Sequence, residues 1–477
     1  MTGYSEIATI DLYYPGFQSG FENRYYPLNP PLGLLSLAAV LRRSGHVVRL
    51  LDLRLYGNPH KRLRRHWQAY TPDIIGISAV THMAVYAYDL VAFCKRNLTG
   101  VPVIMGGPHV TAYTTQVLTE CGADFAVRGE GEPVICALVE SILSGKFDNN
   151  LPNLIYRNGC NVVMNDRLER VEDLNALPPP AWDLSEFNRY ARRQSMALLP
   201  DRRYAAILSS RGCHYRCTYC HNIFGKQVRF LTPTAFVDQL EQLNHTYGIR
   251  HFEIVDDIFN VRKQRVLDIC RQITGRGLKI RLAFPNGLRS DLLDDETIDA
   301  LYDAGTRFLC FAIESASPRI QKMVNKHLDL EKARAAIDYA ASKKIVCCGF
   351  FMMGFPTETV AELRATCEWA VQSSLHLALF YLLTPYRGTE ISEHVQIEDE
   401  NTYTFYNYDY GTVTISDLPF ETIKNLRMQT TLRFHMHPKR LARLIRDYPL
   451  LHRMPVTVGR IVLRTTRRLI LQSGMVS

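Results

Sequence analysis

Three cysteines in RGCHYRCTYCHN, Cys213, Cys217 and Cys220, share a polar, glycine-led loop that follows the apolar run AAILSS. Their C-x3-C-x2-C spacing can set three thiolates around one face of an iron–sulfur cube, and thiolate is a soft ligand suited to iron. Three ligands for four irons leave one iron corner open. The alternative is a structural zinc ion, which needs a fourth ligand from His214, His221 or a distant residue. Twelve cysteines in 477 residues do not resemble a small disulfide scaffold. Cys94, Cys136, Cys270, Cys347 and Cys348 lie in apolar or amphipathic surroundings and read as core.

The cluster loop must be held by the elements around it. After AAILSS, the helical stretches FVDQLEQLNHTYG and VLDICRQITGRG alternate with the strands HFEIVDD, LKIRLAFPN, RFLCFAIES, VCCGFFMMGFP and HLALFYLLTP. This pattern predicts a partial β/α barrel whose C-terminal strand ends face the chemistry. Those ends carry Glu253, Asp256 and Asp257; Asn286 and Arg289; Glu314 and Ser315; and Thr384 and Pro385. Upstream, EIATIDLYY, HVVRLLDL, DIIGISAV, VPVIMGG and ADFAVRG alternate with helical segments, among them TAYTTQVLTEC. Near-continuous apolar strands predict a parallel sheet covered on both faces. Ligands of such sheets bind beyond the carboxyl ends of the strands. These ends hold Ser78 and Thr81, then Gly106, Gly107, Pro108 and His109, then Gly129, Glu130, Gly131 and Glu132. Asp52 ends a strand where a ribose-binding acid could sit, but the first βα connection has no G-x-G-x-x-G, so Asp52 also reads as a loop-start acceptor.

PPLGLLSLAAVLRRSGHVVRLLD, DIIGISAVTH, VIMGGPH and RGEGE resemble the cobalamin-binding domain found in one branch of radical S-adenosylmethionine enzymes. The cysteine spacing, with Tyr219 before the last thiol, resembles the radical S-adenosylmethionine family itself, and TPYRGTE resembles a segment of the cobalamin-dependent branch. The resemblance covers about residues 5–395. It implies cobalamin, a [4Fe–4S] cluster and S-adenosylmethionine as cofactors, with the last chelating the open iron and yielding a 5′-deoxyadenosyl radical. Carried over by position, Ser78, Thr81, Gly106, Gly107, Gly129, Glu130 and Gly131 contact the corrinoid. Tyr219 belongs to the cluster motif, Glu314 and Ser315 meet the ribose, Arg289 pairs with the cosubstrate carboxylate, and Gly354, Phe355 and Pro356 turn beside adenine. Asp256 and Asp257 either orient substrate or cap the next helix. The D-x-H-x-x-G motif of cobalamin mutases is absent, so cobalt is expected without that axial histidine; His82 is a cobalt neighbour or an ordinary loop histidine.

The reaction that this resemblance implies first is methylation of an unactivated carbon in a small molecule, lipid or tetrapyrrole. Ring formation, ring rearrangement or oxygen insertion, such as anaerobic tetrapyrrole cyclisation, is the alternative, and a non-catalytic iron–sulfur sensor is a third. A flavodoxin- or ferredoxin-type electron donor and a monomeric state are expected. No RNA-binding module is visible, so nucleic acid is not expected as a partner.

The fold class is therefore α/β. A doubly wound Rossmann-like cobalamin-binding domain (1–145) precedes a hairpin and linker (146–200), a partial (β/α)6 barrel (201–395) and a small, mostly helical C-terminal region (396–477). The net charge is +9 and much of the surplus sits late, from Lys439 and Arg440 to Arg467 and Arg468. GRIVLRTTRRLILQ either rests on an acidic membrane surface or closes the barrel as a solvated helix. Tyr403, Phe405, Tyr406, Tyr408 and Tyr410 line a pocket for a flat or apolar substrate, or pack against the barrel. No secretory segment opens the chain and no apolar run is long enough to span a bilayer, which predicts a cytoplasmic protein.

Overall fold

A computed structural model describes residues 7–17, 27–197, 203–394, 415–449 and 455. The five tyrosine and phenylalanine residues of 403–410 and the GRIVLRTTRRLILQ segment lie outside the described residues. The first sheet contains β1 (Thr9–Tyr14), β2 (Val47–Asp52), β3 (Ile74–Ser78), β4 (Val103–Gly106), β5 (Phe125–Val127), β6 (Leu154–Asn158) and β7 (Asn161–Met164). Its order is β2-β1-β3-β4-β5-β6-β7. The first five strands are parallel, and the β6–β7 hairpin joins them antiparallel at one edge. Neighbouring residues explain the apolar strand runs: Ile75, Ile77 and Met105 enter one buried cluster, whereas Ile74 and Ile104 enter another on the opposite face. Both faces are covered, so neither register of the alternation is left for polar residues.

The predicted TAYTTQVLTEC helix is two short ones, Pro108–Tyr113 and Thr115–Glu120. Thr114 breaks them with a φ of 48°, a left-handed turn made here without glycine.

The second sheet is wholly parallel, in the order β15-β14-β13-β12-β11-β8. Its strands are β8 (Tyr204–Ile207), β11 (His251–Ile254), β12 (Arg281–Leu288), β13 (Thr306–Glu314), β14 (Val346–Met353) and β15 (Leu377–Leu382). Between β8 and β11 lies a two-residue antiparallel ladder, β9 (Ser210–Arg211) with β10 (Arg229–Phe230), which the sequence did not announce. The helices Phe420–His435 and Pro438–Asp447 pack beside β15, with Pro438 in the first turn of the second, where its missing N–H costs nothing. Among the described residues, no helix is long and apolar enough to cross a membrane.

Candidate functional site

The cysteine loop starts where β8 runs into the β9–β10 ladder, and buried polar groups fix that junction. Asp256 accepts from the Ser209 N–H at 2.6 Å and from the Ser209 and Ser210 hydroxyls at 2.5 and 2.6 Å. Burial pushes its carboxyl above the usual range. Asp256 therefore holds the strand that delivers the cysteines. It does not cap the next helix, whose N-cap is Arg262. Asp257 accepts from the Gly212 N–H at 3.2 Å. Gly212 has a φ of 91°, and a Cβ there would lie 2.4 Å from the Gln227 carbonyl oxygen, so only glycine passes.

Within the loop, the Cys213 N–H donates to the Gly225 carbonyl at 3.3 Å and the Cys220 N–H to the Cys217 carbonyl at 3.1 Å. The segment 324–327 docks against it: Thr218 N–H donates to the Val324 carbonyl at 3.1 Å, and Asn325 Nδ2 to the Arg216 carbonyl at 2.9 Å. Packing raises the Cys220 thiol to about 12, helped by its neighbours Cys217, Asp257 and Cys213, although the residue as a whole is exposed. Burial also raises Cys213, with Cys217 again a neighbour. Iron can take the proton's place on these thiols, because it supplies the charge that stabilises thiolate. Among the described residues, no three His, Cys, Asp or Glu side chains converge closely enough to hold a single metal ion. A cube takes three thiolates on separate iron corners, whereas structural zinc needs a fourth ligand, so three thiols suit a cluster.

At the end of β13, Glu314 adopts a φ of 66° and is buried. Its Oε1 takes the Lys326 ammonium at 3.2 Å, while its Oε2 is buried with no partner. An orphaned carboxylate oxygen of this kind costs free energy unless a ligand donates to it, which suits a diol such as a ribose. Tyr219 lies close to Glu314 and Cys217, and its ring meets Phe355 edge-on at 6.4 Å.

Two expected contacts are different in the structure. Ser315 is buried with its hydroxyl 3.2 Å from that of Thr366 and accepting the Ser317 N–H at 3.1 Å, so it serves the following helix. Arg289 is at the site but already committed. It donates to both oxygens of Asp291 at 2.9 and 3.2 Å and to the Lys326 and His327 carbonyls at 2.9 and 2.8 Å, and it lies 4.0 Å over the Tyr215 ring. Four of its five N–H groups are used, so a bidentate grip on a ligand carboxylate is not open to it. Arg289 ties segment 326–327 to the cluster loop. Gly354 turns with a φ of 89°, and its N–H and that of Phe355 donate to Glu358 Oε2 at 2.8 and 3.3 Å. Pro356 lies in the loop that Glu358 closes in this way.

The carboxyl edge of the first sheet carries the other expected set. Strand order 2-1-3-4-5 puts the switch point between β1 and β3, next to Ser78 and Thr81, which are both half-buried. Gly107 has a φ of 94°, and a Cβ would lie 2.7 Å from both the Ala79 carbonyl oxygen and the Ser78 hydroxyl, so it lets the β3 and β4 loops cross. Gly106 has no heavy atom nearer its would-be Cβ than Val127 O at 3.9 Å, leaving bare backbone at the edge. Gly129 donates its N–H to the Thr111 hydroxyl at 2.9 Å, and Gly131 sits against Leu37. Bare backbone and half-buried hydroxyls fit a wide ring with amide arms, as a corrinoid is. His82, desolvated and near Arg54, is held neutral with its pKa lowered to about 4. Asp52 is no ribose acid: it pairs with Arg54 at 2.6 and 2.8 Å and accepts from the Tyr190 hydroxyl.

Glu130 overturns its expected role. Its side chain is sealed from solvent and bound by Arg229 at 2.5 and 3.1 Å and by Arg211 at 3.1 Å, with the Val171 N–H on the same carboxylate. Arg211 also reaches Glu132 at 2.7 Å. Arg211 and Arg229 pair in the β9–β10 ladder on either side of the cysteines. Glu130 is therefore the joint between the two sheets' functional edges, not a contact for a bound ring. Sequence reasoning missed Lys326, Glu358, Arg211 and Arg229. Arg211 adjoins the motif, and Glu358 follows two residues after Pro356, but no local pattern marks Lys326.

Two family models match the chain, the B12 binding domain over residues 24–139 and the radical SAM superfamily over residues 207–370. Among curated proteins, an uncharacterized methyltransferase of Pyrococcus horikoshii is 28% identical across 93% of this chain and 96% of its own length. The anaerobic magnesium-protoporphyrin IX monomethyl ester cyclase of Rubrivivax gelatinosus is 26% identical across 79% of this chain and 69% of its own. The fold is shared with the radical S-adenosylmethionine methyltransferase TsrM from Kitasatospora setae, solved with cobalamin and a [4Fe–4S] cluster (TM-score 0.67, 19% identity, 81% of this chain and 78% of that one). It is also shared with the cobalamin-dependent S-adenosylmethionine radical enzyme OxsB (TM-score 0.66, 18% identity, 84% and 55%).

Proposed function

We propose, for a chain that joins a cobalamin-binding domain to a radical SAM domain and is an enzyme of that kind, that it transfers a methyl group to an unactivated carbon of an apolar or tetrapyrrole-like small molecule. The bound cofactors supply a one-electron route to a carbon radical and a source of methyl. The chain's own residues hold and shield them. Cys213, Cys217 and Cys220 take three iron corners, and Glu314 Oε2 accepts from the cosubstrate ribose. Lys326 pairs with Oε1 and fixes how that carboxylate is turned. Tyr219 and Phe355 exclude water beside it, and the Gly354–Pro356 turn takes the adenine edge. Ser78 and Thr81 donate to the corrinoid periphery. A flavodoxin- or ferredoxin-type protein brings the electron, and the enzyme works as a monomer.

The observation that carries the reading is the Glu130 joint, in which one buried carboxylate binds two arginines flanking the cysteine loop from the loop that closes the first sheet's functional edge. Methyl transfer is favoured over cyclisation by the near full-length match to a protein named a methyltransferase. Cyclisation of a tetrapyrrole is the second reading, favoured by the similarity to magnesium-protoporphyrin cyclases. Anaerobic incubation with methyl-deuterated S-adenosylmethionine, a strong reductant and a panel of apolar and tetrapyrrole substrates separates them. A labelled methylated product together with 5′-deoxyadenosine supports the proposal. An unlabelled product that has lost hydrogen supports cyclisation. Cys217→Ala abolishes either. Reconstituted protein that retains iron but yields no 5′-deoxyadenosine with any substrate overturns both.

A further inference from the structure

The helix Pro438–Asp447 is amphipathic the wrong way round for a helix that merely closes a barrel. Its buried side is largely polar, with Leu444 the apolar residue packed inward. Arg440 donates to the Val371 and Ser373 carbonyls at 2.6 and 3.3 Å and stacks 3.6 Å over Phe434, and Arg443 donates to the Leu375 carbonyl at 2.9 Å. Asp447 meets His376 at 3.1 Å, both sealed from solvent. The apolar side faces out, with Leu441 and Ile445 exposed by 47% and 41%. On the preceding helix, Met428 and Leu432 are each 53% exposed, and Met436, between the two helices, is 74% exposed. A helix whose Arg440 and Arg443 are spent as anchors and whose Leu441 and Ile445 are turned to solvent gains nothing from water on that side.

Five of the thirteen large apolar side chains that stand exposed among the described residues fall within residues 428–445. Single exposed apolar residues need no explanation, whereas a concentration on one helical pair does. Charge identifies what covers it. Lys439 is exposed beside these residues, Lys424 and Arg446 are exposed but paired with Glu421 and Asp447, and the chain beyond residue 449 contains Arg453, Arg460, Arg464, Arg467 and Arg468 but no acidic residue. Apolar residues set among cations match the boundary of an anionic bilayer, where the apolar side chains enter the acyl region and the cations meet headgroup phosphates.

We infer that the face formed by Met428, Leu432, Met436, Leu441 and Ile445 seats the enzyme on an anionic lipid surface. The full chain is sedimented with phosphatidylcholine vesicles, with and without phosphatidylglycerol. Preferential binding to the anionic vesicles is expected, weakened by salt. Met428→Ser/Leu432→Ser/Met436→Ser reduces that binding about tenfold or more. Val85→Ser/Phe147→Ser, which removes exposed apolar residues elsewhere, leaves it intact. Retained 5′-deoxyadenosine formation shows that the triple variant still folds. Failure to bind either vesicle overturns the inference, as does equal binding by the triple variant. A dimer in gel filtration that the triple variant loses, with no vesicle binding, assigns the face to a second copy instead.

Discussion

Glu130, after β5 of the first sheet, and Glu314, at the end of β13 in the second, look equivalent in the sequence. Each stands at or just past the end of a strand in a parallel run beside small residues, where ligands bind, and each reads as a contact for a cofactor. The fold treats them oppositely. Glu130 has both oxygens on guanidinium groups, and Glu314 has one oxygen on Lys326 and the other bare. A strand-end carboxylate is available to a ligand only where tertiary partners leave an oxygen free, and those partners come from distant sequence.

The largest expected effect lies on the Glu130 side. Glu130→Ala leaves Arg211 and Arg229 buried with reduced compensation, and breaking a buried charge network by removing one partner costs about 3–5 kcal/mol. Urea denaturation of the variant should show that loss, together with faster release of iron from the reconstituted protein. Stability unchanged within about 1 kcal/mol would show that the joint is dispensable and would collapse the contrast with Glu314.

A third glutamate extends the comparison. Glu358 gives one oxygen to two backbone N–H groups and keeps Oε1 buried without a partner, and burial raises its pKa to about 7. Its folded-state pKa is above the unfolded one, so between the two values the folded chain binds the extra proton. This contribution to stability is therefore fully present at low pH and is lost as pH rises from about 4.5 towards about 7. Glu358→Gln should flatten that part of the stability–pH curve and gain about 2 kcal/mol relative to wild type at pH 8. Thermal melts across the range test it; parallel curves for the two proteins would remove Glu358 from the class of poorly compensated carboxylates.

On the Glu314 side the effect moves from stability to binding. Glu314→Gln keeps the shape but weakens the pair with Lys326, for a loss of about 1–2 kcal/mol, and with its oxygen kept on Lys326 it places an NH2 donor where Oε2 accepted. S-adenosylmethionine should then bind about tenfold more weakly, equivalent to about 1.4 kcal/mol. The distinguishing measurement is ligand-induced protection in a thermal melt, large in wild type and small in the variant. Equal protection in both would place the ribose elsewhere.

Much of this was legible in the sequence. The apolar strand runs, the helices between them and the cysteine spacing each report a local requirement, and both sheets and the loop stand where those signals put them. What was not legible depends on separation along the chain. The arginines on Glu130 lie 81 and 99 residues away, and the carbonyls that occupy Arg289 lie 37 and 38 residues on. Lys326 sits in VNKHLD with no motif around it. The break at Thr114 carries neither glycine nor proline, so no local residue announces it. The outward apolar face of Pro438–Asp447 was hidden because an amphipathic pattern does not say which side the protein covers.

The smallest expected effect separates two adjacent residues that the same motif named together. Ser315 follows Glu314, yet its hydroxyl is turned into the next helix, where it accepts the Ser317 N–H and meets Thr366. Ser315→Ala removes an acceptor from a buried N–H and should cost about 1 kcal/mol. Because the hydroxyl does not share the open side of Glu314, affinity for S-adenosylmethionine should be unchanged within error. Isothermal titration alongside urea denaturation reads both quantities on one preparation. A variant with intact stability and weakened binding would mean that the serine turns towards the ligand when it is bound. The strand end would then offer two groups where the present geometry offers one.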